Sequence, residues 1–302
     1  MEIMSMTTPT RAAKVYPKVR RISFPFGKPE PMNRYFAADN IVLSHMVAFL
    51  SFAFPGGEDF FIRSVRRFSQ GINDADLKKR VAGFVGQETV HSQQHEILNE
   101  KLNELGYRNR LMNVGFGFLK ANEGALDEFY GMDRFKTLRY FMLIITAASE
   151  HLTAIAAERV LGYEEVQAML TDPEVKNLFN WHVYEELEHK SVAIDVYRAA
   201  GGPEWLRVVG TWFVLATGSA IPVVATLSSI LLTDSYARRH PIRVVKDLVK
   251  LLRLPFLKGF FKDVLEYTKW NFHPDHRDTT ALLNRWHAEL FGENGRLLDH
   301  LK

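Results

Sequence analysis

An all-α fold, a bundle of four helices with additional N-terminal and C-terminal helices, is what the sequence predicts. From about residue 35 apolar residues recur at spacings of three and four over long stretches, and few segments alternate with period two. The stretches end at Gly, Pro, Asn or Asp, residues that stop helices and permit turns. A chain of 302 residues that is 47% hydrophobic can bury a substantial core. The expected divisions are a tail over 1–34, a bundle over 35–200 and a helical extension over 201–302.

Arg11, Lys14, Lys18 and Arg20 stand in an opening stretch without an apolar run, which reads as a disordered tail rather than a secretory signal. Asp39 to Phe54 reads as helix; Pro55, Gly56 and Gly57 are expected to interrupt it, with Glu58 near the start of a new helix to about Gln70. From about Asp76 to Leu105, one helix face carries Val81, Phe84, Glu88, His91, His95, Leu98 and Leu102. That stripe is apolar at both ends and polar in the middle, which marks a buried polar site. After a Gly- and Asn-bearing connection near 106–132, a helix from about Phe135 to Leu161 places Glu150 among Leu143, Ala147, Ala154 and Ala157. The next, about Pro173 to Ala199, aligns Val175, Leu178, His182, Glu186, His189, Ala193 and Val196.

Val208 to Thr233 carries no charge but is rich in Gly, Ser and Thr. Three forms fit it: a helical hairpin packed on the bundle, an interfacial element, or a membrane span. Arg238, Arg239, Arg243, Lys246, Lys250, Arg253, Lys258 and Lys262 follow, interleaved with Val, Leu and Phe. Such a basic amphipathic segment suits an anionic surface, and equally an ordinary solvated face. Trp270 to His276 reads as loop, followed by a short amphipathic helix.

The net charge of +3, from 38 basic and 35 acidic residues, gives no global field for nucleic acid. With no cysteine, disulfides, thiolate nucleophiles, iron–sulfur clusters and zinc–thiolate sites are excluded. A metal site must use His, Asp and Glu. Two Glu-x-x-His motifs, Glu88 to His91 and Glu186 to His189, each place a carboxylate and an imidazole on one helix face. Two further helices each offer one inward acid, Glu58 and Glu150. This order is the ligand pattern of dinuclear carboxylate bundles. His182 shares the stripe of Glu186 and His189 and is expected to add a third imidazole, a satisfied core histidine being the plain alternative. His45 is the alternative to Glu58. His95 is expected to line the pocket or bond a ligand, while Glu185 and Gln87 occupy positions from which they could orient a ligand histidine on another helix. Glu188 fits solvent as well as the interior. Phe84, Trp181 and Tyr184 are candidates for lining the site. Carboxylate and imidazole suit two iron ions, with manganese or zinc as alternatives.

Glu58, Glu88, His91, Glu150, Glu186 and His189 together resemble the ferritin-like di-iron proteins. His182 makes the set similar to the three-histidine p-aminobenzoate N-oxygenases. The stretches from Phe54 to Phe61, Gln87 to His95 and Glu185 to Ala193 are similar to bacterial proteins catalogued as predicted metal-dependent hydrolases. The first resemblance implies a ferritin-like bundle and an oxygenase or oxidase that uses dioxygen and an electron donor on a small or lipidic substrate. The second implies dinuclear hydrolysis. A non-enzymatic metal-binding or membrane-associated scaffold is the remaining class. The expected setting is cytoplasmic, at the inner membrane face, with peripheral membrane contact and a homodimer compatible with the sequence.

Overall fold

The computed structural model of the protein describes residues 15–108 and 135–302; the expected connection near 106–132 lies, from 109 onward, outside them. Among the described residues the regular structure is helical, and an isolated bridge pairs Ile22 with Leu301. The helices are α1 (Ile41–Ser69), α2 (Ala75–Glu104), α3 (Lys136–Gly162), α4 (Glu164–Gln167), α5 (Pro173–His189), α6 (Val192–Ala199), α7 (Glu204–Thr233), α8 (Ser235–Arg239), α9 (Pro241–Leu252), α10 (Phe260–Leu265) and α11 (Thr280–Phe291). Side-chain caps start three of the four long bundle helices: Asn40 Oδ1 accepts the Leu43 N–H, Asp74 those of Asp76 and Leu77, and Asp172 those of Glu174 and Val175.

α1, α2, α5 and α3 close a ring in that order, each packed against its neighbours. Along α1, α2 and α3, polar residues are sandwiched between two apolar layers; on the remaining side α5 supplies one layer and α6 the other. On α2 one layer holds Leu77, Val81 and Phe84 and the other Leu98 and Leu102; on α3 they hold Leu143 and Ala147, then Ala154 and Leu161. The centre therefore sits in a polar slab inside the bundle, sealed at both ends by aliphatic packing.

Four expectations are corrected. Pro55 does not end the first helix, because α1 runs unbroken through it. Proline lacks the N–H that would bond the carbonyl four residues back, and Asn99 Nδ2 on α2 donates to that carbonyl, Ser51 O, at 3.1 Å instead. The fourth stretch is broken after His189 into α5 and α6 by the turn at Lys190 and Ser191. Residues 208–233 form no hairpin: α7 is one helix of 30 residues, packed along α1 and α3. Residues 15–34, expected within a tail, lie against the bundle, with Arg20, Ile22, Phe24 and Phe26 buried. Gly83 and Gly86 make that possible, because a Cβ on either would collide with Pro17 or Val19 of this segment. The C-terminal end holds it from the other side, through Ser23 N–H to His300 O at 3.0 Å and Lys302 N–H to Arg21 O at 2.9 Å.

Candidate metal centre

Mid-helix positions of α1, α2, α3 and α5 bring Glu58, Glu88, His91, Glu150, His182, Glu186 and His189 together, all nearly or wholly buried. Their atoms form three overlapping groups, each within 4.8 Å: Glu58, His91 and His182; Glu88, His91 and Glu186; Glu88, Glu150 and His189. His189 Nε2 lies 3.2 Å from both Glu88 Oε1 and Glu150 Oε2 and 3.5 Å from Glu186 Oε1. His182 Nε2 lies 3.0 Å from Glu186 Oε1 and 3.7 Å from Glu58 Oε1, and His91 Nδ1 lies 3.7 Å from Glu88 Oε2.

Each imidazole turns one nitrogen inward and has the other engaged from behind. His91 Nε2 meets Glu185 Oε2 at 3.0 Å, and His189 Nδ1 meets Gln87 Oε1 at 3.0 Å. Because a carboxylate or an amide oxygen only accepts, both outer nitrogens must be the donors. For His182 the chain is longer. Ser51 donates its hydroxyl to Asn99 Oδ1 at 2.8 Å, so its oxygen accepts from His95 Nδ1 at 3.0 Å. His95 Nε2 then accepts from His182 Nδ1 at 2.8 Å, which leaves the lone pair of His182 Nε2 facing the carboxylates. The orientation of this relay begins at Pro55, whose missing N–H makes Asn99 donate to Ser51 O and so present its oxygen to the hydroxyl.

Glu185 and Gln87 are joined further out by one residue of the N-terminal segment. Arg20 Nη1 donates to Glu185 Oε1 at 2.7 Å and to Glu188 Oε2 at 2.8 Å, and Gln87 Nε2 donates to the same Glu188 oxygen at 2.7 Å. Glu188 is thus an interior residue rather than a solvent-facing one. Sequence reasoning missed Arg20, Ser51 and Asn99, and also Ser92, which donates to Glu58 Oε2 at 2.6 Å. It also missed Thr153, whose hydroxyl bonds Glu186 Oε2. Ser92 and Thr153 had a signal, lying beside a predicted ligand or one turn from it; Arg20 had none. His45 is turned away, with Nε2 at 3.1 Å from Asp234 Oδ2 and Nδ1 at 2.8 Å from Ser229 Oγ on α7. Phe84 and Trp181 meet His189 and His91 edge-on, whereas Tyr184 lies a layer out and bonds Glu188.

Among the described residues, seven buried atoms at this centre make no hydrogen bond: Glu58 Oε1, both oxygens of Glu88 and of Glu150, His91 Nδ1 and His189 Nε2. Buried orphans of this kind are costly unless something else binds them. Without cations the cluster holds protons instead. Burial pushes Glu150 up to about 8 against the pull of His189, and also raises Glu58 and Glu88. Burial opposes charge on His91 and His189, but Glu185 and Glu88 lift His91 to about 10, and Glu150 and Glu186 raise His189. Burial, aided by His91, drops His182 to about 4, so it stays neutral and able to ligate. Four acids, three inward imidazole nitrogens and no soft donor fit hard or borderline divalent cations, which would take the place of these protons.

Over residues 18–278 the chain matches the family described as predicted metal-dependent hydrolase. Searches of the curated proteins and of the solved structures return no match.

Proposed function

Since the chain belongs to the family of predicted metal-dependent hydrolases, we propose that it is a hydrolase whose buried centre takes two divalent metal ions. The observation that carries this reading is the convergence of seven buried N and O atoms that make no hydrogen bond among the described residues. Glu88, Glu150 and His189 would hold one ion and Glu58, His91 and His182 the other, with Glu186 between His182 and His189 facing both. Bound there, such ions polarise the oxygen of a scissile bond and acidify water. Glu58 is held for ligation: Ser92 donates to its Oε2, and its Oε1, which makes no hydrogen bond among the described residues, is left to face the ion. Substrate would approach across α1, which is half-buried from Phe52 to Gly57 and open beside Gly57, where an added Cβ meets nothing within 4 Å.

The family description favours hydrolysis over oxygen chemistry. An iron-dependent oxygenase or oxidase, using dioxygen and an electron donor on a small or lipidic substrate, stays as the second reading because the donor set is wholly carboxylate and imidazole and deeply buried. To separate them, chelator-stripped protein is reloaded anaerobically with zinc, manganese or ferrous iron and assayed on p-nitrophenyl esters, phosphates and anilides. The expected result is about two ions per chain and product release without dioxygen or reductant, lost in Glu186→Ala and Glu58→Gln. Turnover that requires iron, dioxygen and reductant would transfer the assignment to the second reading, and failure to take up metal would sink both.

A further inference from the structure

Among the described residues three helices are long and apolar enough to cross a membrane, but two of them, α1 and α3, contribute Glu58 and Glu150 to the centre and have half or more of their apolar window buried in the bundle. For α7 only 22% of the window is buried. One face of α7, with Leu206, Gly210, Val214 and Ile230, packs inward, and Arg207 on that face is fully buried, bonded to Glu204 and Lys269 O. The other face exposes Trp205, Trp212, Phe213, Val224, Leu227 and Leu231, each 46–61% accessible. At ~1.5 Å per residue that face is ~45 Å long, a contiguous apolar strip of a kind that marks an interaction site.

Charge decides what covers it. α9, reached through the five residues of α8, packs Val244 and Leu251 against Ile41, Val42 and the α7 residue Ile230. None of its residues is buried, and it exposes Ile242, Val245, Val249 and Leu252 together with Lys246 and Lys250, with Arg253 at its cap. The acids of this region are engaged elsewhere: Asp247 accepts the Ile41 N–H at 2.8 Å, and Asp263 pairs with Arg159 at 2.7 Å. Beyond them, Lys258 and Lys262 are exposed beside Leu257 and Phe261.

We propose that the outer faces of α7 and α9 dock the protein on an anionic lipid bilayer, with α7 lying along the interface and the α9 cations meeting lipid phosphates. A helix whose opposite face is packed on a bundle and holds a buried arginine is suited to lie on a membrane, not to cross it. The lysines and arginine among the exposed apolar residues of α9 supply the electrostatic half of the attraction, and the tryptophans of α7 sit well at headgroup depth.

The test is flotation of the full chain with vesicles of phosphatidylcholine alone or mixed with phosphatidylglycerol, at low and high salt, alongside sedimentation without lipid. Expected are binding to the anionic vesicles, weakening with salt, and a blue shift of tryptophan emission that diminishes in Trp212→Phe. Lys246→Glu/Lys250→Glu/Arg253→Glu should bind at least about tenfold more weakly while keeping its circular dichroism and metal content, since these side chains are exposed. Val224→Ser/Leu227→Ser/Leu231→Ser should lose the blue shift. Failure to bind anionic vesicles, or equal binding to neutral ones, overturns the proposal. So does a stable dimer that shields Trp212 without lipid, which would give the face to a second copy of the chain.

Discussion

Arg20 shows how far the control of a ligand can lie from it in sequence. Its guanidinium holds Glu185, which bonds His91, and Glu188, which holds Gln87, which bonds His189. One side chain thus backs two imidazoles on different helices. Arg20→Ala would leave two buried carboxylates without their cation, a loss of about 3–5 kcal/mol by analogy with broken buried pairs, so denaturation alone would not reveal a role in positioning. Arg20→Lys retains the charge without the fork. We expect it to fold, with metal affinity reduced about 10- to 100-fold, the usual effect of disturbing a ligand's outer partner. Competition with a chelating dye measures this, and unchanged affinity would show that Arg20 serves folding alone. His95→Phe separates the two halves of the centre in the same way. It removes the acceptor that fixes the His182 tautomer, so the Glu58, His91 and His182 group should weaken while the Glu88, Glu150 and His189 group keeps its ion.

The proline-bearing middle of α1 joins fold to site. Pro55 frees Ser51 O, and Asn99 answers with a donor to that carbonyl and an acceptor to the Ser51 hydroxyl. Asn99→Leu should strand both and cost about 1–3 kcal/mol, read as a shift in the urea midpoint; a neutral result would mean that α1 can relax around the proline. The same element shows where the sequence was legible. Periodicity revealed α2, α3 and α5, because each carries an apolar stripe interrupted by the ligands, and the seven predicted ligand residues do meet in space. It misread α1, because proline and glycine speak of local backbone preference while tertiary packing and a donor on another helix kept the helix intact. For α7, the small polar residues left a hairpin, an interfacial element and a span open, and Gly210 and Gly218 serve close packing on Ile144 and Leu152 of α3. Arg20 was illegible since nothing local marks a residue whose partners lie 165 and 168 positions away.

At the scale of the whole molecule, the bundle is built around charge that it cannot easily keep without cations, and this sets a pH dependence. Glu150 titrates near 4.5 when ordinary and about 8 in the fold, and His91 near 6.5 when ordinary and about 10 in the fold. Between pH 6.5 and 8, the folded metal-free protein therefore holds protons on both groups that the unfolded chain has released. Stability falls as pH rises wherever the native state binds more protons. The groups shifted the other way do not offset this. His182, lowered to about 4 from 6.5, is neutral in both states above 6.5, and Glu186, lowered from 4.5, is ionised in both. The melting temperature of stripped protein should accordingly decline across this window. Loaded protein should not follow it, because cations displace the protons and satisfy the carboxylates; loading in weak buffer should release protons to an indicator dye. A stripped protein whose melting temperature is flat or rising from pH 6.5 to 8 would mean that the acids are not held protonated in the fold.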